Sequence, residues 1–211
     1  MRGVLFTLVL IFTSLVAGAT TAATFTTAGL TFSDELGGFR LVSVSGSGTI
    51  LDPVVIIEEI GGTGAAVLVI RGSQERRRNE SDDTILPRSS INLAIIKIVI
   101  NTSARPWAGF DLELRETLRK PSPYGDGLSF DQLESFQSPI LSNRFSSGLR
   151  VDEPYDRVSF REGSIDAGGT GRFNFFITDP TPVSEFFLVQ EPLLLIAREG
   201  ATNRQLATRP E

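Results

Sequence analysis

Residues 110–115 read Phe-Asp-Leu-Glu-Leu-Arg, and the fold is decided there. Successive side chains of a strand point to opposite faces. Phe110, Leu112 and Leu114 therefore face a core, while Asp111, Glu113 and Arg115 face water. Residues 172–178 repeat the pattern, Phe173, Phe175 and Ile177 alternating with Arg172 and Asn174; Phe176 is the exception. Residues 91–100 (INLAIIKIVI) are apolar on both faces except at Asn92 and Lys97, which suits a central strand covered on both sides. Residues 101–109 (NTSARPWAG) make a turn, so the strands flanking it are expected to form a hairpin.

Further strands are expected at residues 24–32, 39–44, 54–60, 66–71, 157–160 and 185–189, with 193–198 as one more candidate. Helical periodicity is nearly missing. Gly61-Gly62-Thr63-Gly64 and Gly168-Gly169-Thr170-Gly171 lie between apolar runs and read as hairpin turns; a strand follows each, so neither meets the strand-to-helix context of a phosphate cradle. Residues 120–154 hold Pro121, Pro123, Pro139 and Pro154 and few strand signals, and are expected to contain short turns or one helical turn, with 131–136 the most helix-tolerant part. The fold class that follows is all-β: an antiparallel β-sandwich, Ig-like or jelly-roll-like, of about 8–10 strands. Local pattern does not fix strand order, so a closed barrel is the alternative. Fifteen Phe residues supply the apolar area between the sheets.

The first residues differ in character from the rest. Met1 and Arg2 carry the positive charge, residues 3–16 are almost wholly apolar, and Ala17-Gly18-Ala19 offers small residues for cleavage. That order is a secretory signal. The expected organisation is a signal peptide at 1–19, one sandwich domain at 20–198 and a polar tail at 199–211, with no transmembrane span in the mature chain. The net charge is −5, and removal of Arg2 makes it more negative, which argues against polyanions. Arg76-Arg77-Arg78 sits among Glu75, Glu80, Asp82 and Asp83 and reads as a solvated loop rather than a nucleic-acid patch. Cysteine is absent, which favours a bacterial exported protein over an animal ectodomain. Asn79-Glu-Ser and Asn101-Thr-Ser match the N-glycosylation pattern and, in a bacterial protein, are chance matches.

With no His and no Cys, a Ser-His-Asp triad, a Cys-His pair and His or Cys metal sites cannot be built. Carboxylate, Ser-Lys and oxygen-ligand chemistry remain. Lys97 lies mid-strand, where burial would lower its pKa and make it a base; no Ser-x-x-Lys spacing accompanies it, and the plainer reading is a reach to the sheet edge or a pairing with a carboxylate. Glu58 and Glu59 are adjacent on a strand and point to opposite faces, so they do not form a glycosidase pair. Asp111 and Glu113 share a face, and Arg115 and Arg119 make that face a solvated charged stripe. Calcium is the one cofactor left open, with Asp126, Asp131, Asp152 and Asp156 as its ligand candidates; the competing reading is that these carboxylates cap backbone N–H groups in turns. Trp107, Tyr124 and Asp126 are the candidates for a ligand site, since exposed aromatic rings stack on sugars; the competing reading has Trp107 plugging one end of the sandwich.

Residues 98–178 resemble exported bacterial proteins of undefined function related to PEP-CTERM and other variable-anchor secreted proteins. The resemblance rests on Asn101-Thr with Trp107-x-Gly-Phe-Asp-x-Glu-Leu114, on Asp126-Gly-Leu-Ser-Phe-Asp131, on Arg157-Val-Ser-Phe160, and on Gly168-Gly followed by Phe173-Asn-Phe. It implies an extracellular β-sandwich and carries no catalytic residues over. The chain departs from the anchored members in ending without a Pro-Glu-Pro segment, an apolar span or a basic tail.

The expected function is that of a non-catalytic secreted structural or adhesive protein of a bacterial surface or extracellular matrix, self-assembling by strand pairing. Its partners are then copies of itself, other extracellular proteins or glycans. A carbohydrate- or ligand-binding module, with calcium, is the alternative. The apolar region 187–197, or 24–32, is the expected donated strand.

Overall fold

The computed structural model describes residues 21–72, 90–130, 140–151 and 153–194. The signal segment, the Arg76–Arg78 run, Asn79, residues 131–136 and the polar tail lie outside them.

Period-two alternation produces strands wherever it occurs. Twelve are present among the described residues: β1 (Thr24–Thr27), β2 (Leu30–Ser33), β3 (Arg40–Ser45), β4 (Val54–Ile60), β5 (Ala66–Gly72), β6 (Ile91–Asn101), β7 (Trp107–Arg115), β8 (Leu141–Ser142), β9 (Phe145–Val151), β10 (Asp156–Gly163), β11 (Thr170–Asp179) and β12 (Glu185–Leu194). One 3-10 turn, η1 (Tyr124–Asp126), is the helical turn expected between 120 and 154. The strands form two sheets. A seven-stranded sheet runs β1-β2-β5-β12-β7-β10-β9, and a five-stranded sheet runs β3-β4-β6-β11-β8. They pack face to face as a β-sandwich. All pairings are antiparallel except β4 with β6, so the five-stranded sheet is mixed rather than purely antiparallel.

The core lies between the sheets. Phe110, Leu112, Leu114 and Phe160 from one sheet meet Ile56, Ile95, Phe173 and Phe175 from the other, all buried. Phe173 is the hub: its ring is 4.9 Å from Phe110, 4.7 Å from Phe160 and 6.1 Å from Phe145. Such aromatic pairs add about 0.5–1.5 kcal/mol each beyond the area they bury. The alternation at 110–115 and 173–177 thus has the orientation expected of it. Phe176, the exception, turns to the outer face of β11.

β6 is the central strand of its sheet, as expected, but only one of its faces is covered. Leu93, Ile95, Lys97 and Val99 point inward and are buried, whereas Ile96, Ile98 and Ile100 on the outer face are half-buried. The expected hairpin with β7 does not form, because β6 and β7 belong to different sheets. The Gly61–Gly64 and Gly168–Gly171 turns are likewise crossings between sheets rather than hairpin turns. A short Gly-rich turn reverses the chain equally well onto a neighbouring strand or onto the facing sheet. The hairpins that do form are β1–β2, β3–β4 and β9–β10.

Two strand counts also change. Residues 24–32 are a hairpin rather than one strand, with Ala28 and Gly29 both at positive φ in its turn. The candidate strand at 193–198 is, as far as Leu194, the end of β12; Pro192 sits in it beyond Gln190, the last residue paired with β5, so it has β7 alone beside it.

Candidate functional site

Of the residues expected to bind a ligand, Tyr124 and Asp126 belong to η1 and Trp107 begins β7. Trp107 is fully buried, its ring stacked 5.7 Å from Phe110 and its Nε1 donating to Ser103 Oγ at 3.3 Å. It fills the core, as in the competing reading, and has no face to offer a sugar. Tyr124 opens η1. Asp126 closes η1, where its Oδ1 accepts from the Leu128 N–H at 3.1 Å, the turn-capping role open to it from sequence. Asp156 is buried at the start of β10 and accepts from the Phe130 N–H at 3.5 Å, a long-range contact rather than a local cap. Asp131 and Asp152 lie outside the described residues. Among the described residues, no group of three or more acidic side chains is arranged to hold a metal ion. Burial pushes the carboxyls of Glu116 and Asp179 above their ordinary values, and the negative charge of Asp126 pushes both further the same way.

Asn101 is fully buried at the end of β6. Its Nδ2 donates to the carbonyls of Arg105, Ile165 and Asp166, and its Oδ1 accepts from the Ser103 N–H and hydroxyl. With the amide nitrogen spent on three backbone carbonyls, Asn101 is a brace for the crossing into β7 and not a glycan acceptor in the folded chain.

The outer face of the seven-stranded sheet carries the charged stripe. Asp111 and Glu113 point outward, as expected, but are nearly buried, because guanidinium groups lie over them. Arg161 forks onto Asp111 at 2.6 and 3.1 Å, and Arg157 reaches Glu113 at 2.7 Å. Arg115 adds a second cation on Glu113. The register of β10 on β7 brings Arg157 and Arg161 alongside; sequence order pointed instead to Arg119. Burial alone would raise the Glu113 carboxyl, but the hydrogen bonds from Arg115 and Arg157 outweigh it and hold it below its usual 4.5. Carboxylates tied this way are poor candidates for proton transfer.

A second polar group lies between the sheets. Lys97 of β6 and Glu58 of β4 are both fully buried with Nζ 2.6 Å from Oε2, and Gln190 of β12 donates from Nε2 to the same Oε2 at 3.1 Å. Burial drives the Lys97 amine below its ordinary pKa, with the Glu58 carboxylate opposing. Glu59, the neighbour of Glu58, points outward and pairs with Arg40 at 2.7 Å, as the opposite-face argument requires. A charged residue at an inward position of an apolar strand was the signal for Lys97 and Glu58. Gln190 carried none, since it arrives from the other sheet.

Two surface features remain. β9 is an edge strand of seven residues with no strand beyond it among the described residues, and its Leu149 is 61% exposed. On the outer face of the five-stranded sheet, Ile50, Pro53, Ala94, Ile96, Leu141 and Phe176 line a shallow apolar groove. No helix among the described residues is long and apolar enough to cross a membrane. Comparisons with protein-family models, with curated proteins and with solved structures gave no match.

Proposed function

We propose that the chain is a non-catalytic, secreted structural or adhesive component of a bacterial surface or extracellular matrix, and that copies associate by strand pairing along β9. The observation that carries this reading is that edge, beyond which no strand lies among the described residues. Natural sheets blunt their edges with short strands, prolines, bulges or charge. The other three edges fit that rule: β1 has four residues, β8 has two, and β3 carries a register irregularity between Leu41 and Ser43. β9 is longer, reads FSSGLRV, and has no proline and one charged residue, Arg150. An edge strand of this length without those devices is a template for another strand.

The segments expected from sequence to be donated, 187–197 and 24–32, are less suited. β12, which holds most of the apolar 187–197 region, lies between β5 and β7 in the middle of its sheet. Secretion and the surface location rest on the leader and on the likeness to PEP-CTERM-type exported proteins, both read from sequence. The burial of Trp107 removes the ring on which the ligand-binding alternative leaned.

Negative-stain imaging and size-exclusion chromatography of the mature protein test the reading. Assemblies are expected, and Leu149→Lys is expected to return them to monomer. An exposed substitution of this kind shifts stability by only about 0.5 kcal/mol, so loss of assembly is separable from loss of fold. A chain that is monomeric at every concentration, before and after the substitution, overturns the proposal.

A further inference from the structure

The group formed by Lys97, Glu58 and Gln190 is costly as a piece of packing. All three side chains are fully buried. Lys97 Nζ is paired with Glu58 Oε2, while Glu58 Oε1 and Gln190 Oε1 have no hydrogen-bond partner among the described residues. A buried polar atom left unsatisfied is costly, and here two flank one ion pair. A buried ion pair is itself weak evidence of stabilisation, since well-packed apolar residues of the same volume often do as well.

The same three groups are the parts of an acyl transfer. The amine is a nucleophile once it is neutral, and its burial favours the neutral form. The side-chain amide of Gln190 is the acyl group. The carboxyl between them touches both nitrogens, the one that would attack and the one that would leave. Fixed apposition of this kind replaces the entropy cost of bringing reactants together. Lys97 and Glu58 are set by the parallel register of β4 on β6, and Gln190 by the inward face of β12 that it shares with Phe186 and Leu188. The facing sheets thus bring both side chains to the same oxygen of Glu58.

We propose that Lys97 and Gln190 become joined by an amide bond that staples the two sheets together, with Glu58 as the proton carrier. Glu58 takes a proton from Lys97 Nζ, and the neutral amine attacks Gln190 Cδ to form the new C–N bond. Glu58 then gives a proton to Nε2 as the Cδ–Nε2 bond breaks, and recovers one from Nζ. Ammonia leaves. Nothing is oxidised or reduced, and no co-reactant is needed. The product places a neutral amide in the core where a charged amine stood. This inference does not depend on the assembly proposed for β9.

Intact-mass measurement of the purified mature chain in denaturant, followed by peptide mapping, tests it. The expected mass is below that of the sequence by one ammonia. The map is expected to show one branched peptide holding both Lys97 and Gln190, with trypsin failing to cut after Lys97. In Glu58→Gln the sequence mass and two separate linear peptides are expected. The wild-type result decides alone if that variant does not fold. A wild-type mass equal to the sequence, with Lys97 and Gln190 in separate peptides, overturns the proposal. Loss of one water with Lys97 joined to Glu58 would also overturn it, by removing Gln190 as the acyl group.

Discussion

At Ala28 an L-residue holds a φ of 52°, followed by Gly29 at 71°, in the two-residue turn between β1 and β2. That left-handed conformation costs an ordinary L-residue about 1–2 kcal/mol, whereas Asn tolerates it. Asn-Gly is also the favoured pair for a turn of this hand. Ala28 is exposed, so a larger polar side chain there can reach solvent. Ala28→Asn is therefore expected to stabilise the protein by about 0.5–1 kcal/mol, read as a higher urea midpoint with an unchanged slope. The same residue explains why the hairpin was invisible in the sequence. Ala-Gly is not a turn signal, so residues 24–32 read as one strand. Lys97 shows the opposite case. Its pairing with a carboxylate was legible as one of two readings of a cation in an apolar run, the other being a reach to the sheet edge. The identity of the acyl partner was not, because nothing in the sequence aligns β12 with β6.

Strands were legible as elements, and their neighbours were not. Alternation records which face of a strand is buried, and it found β4, β5, β7 and β11 nearly to their ends. It says nothing about which strand lies alongside, so all three expected hairpins across residues 61–64, 101–109 and 168–171 proved to be crossings. β9 was missed because Ser146, Ser147 and Gly148 in the middle of FSSGLRV interrupt the strand signal. The neighbour relation between β7 and β10 is also what gives Glu113 its stability role. Its carboxyl is held below 4.5 in the fold by Arg115 and Arg157, so it contributes stability above its unfolded pKa and loses it as pH falls through the folded value. Arg157→Met removes one of the two guanidinium groups and lets burial push the carboxyl back up. A loss of about 1–3 kcal/mol near pH 7 is expected, narrowing as the medium is acidified below pH 4 or so. Urea midpoints of the two proteins across that range measure it. A gap that stays constant with pH would mean that Arg157 acts through packing and not through Glu113.

The path of the chain binds the two sheets into one unit. β4 and β6 are neighbours in the five-stranded sheet, yet β5, which lies between them in sequence, belongs to the other sheet. β12, the last strand among the described residues, fills the gap between β5 and β7, so the seven-stranded sheet stays open at its middle until β12 is in place. Neither sheet is a contiguous stretch that can leave the other standing. Loss of either exposes the Phe173 cluster from both sides. Unfolding is therefore expected to be a single cooperative transition. Trp107, the sole tryptophan, is fully buried against Phe110 and reports the space between the sheets, while far-UV circular dichroism reports the strands themselves. In denaturant the two signals should share one midpoint and one slope. If strand signal survives after the Trp107 environment is lost, one sheet persists without the other, and the interlocked path does not enforce cooperativity.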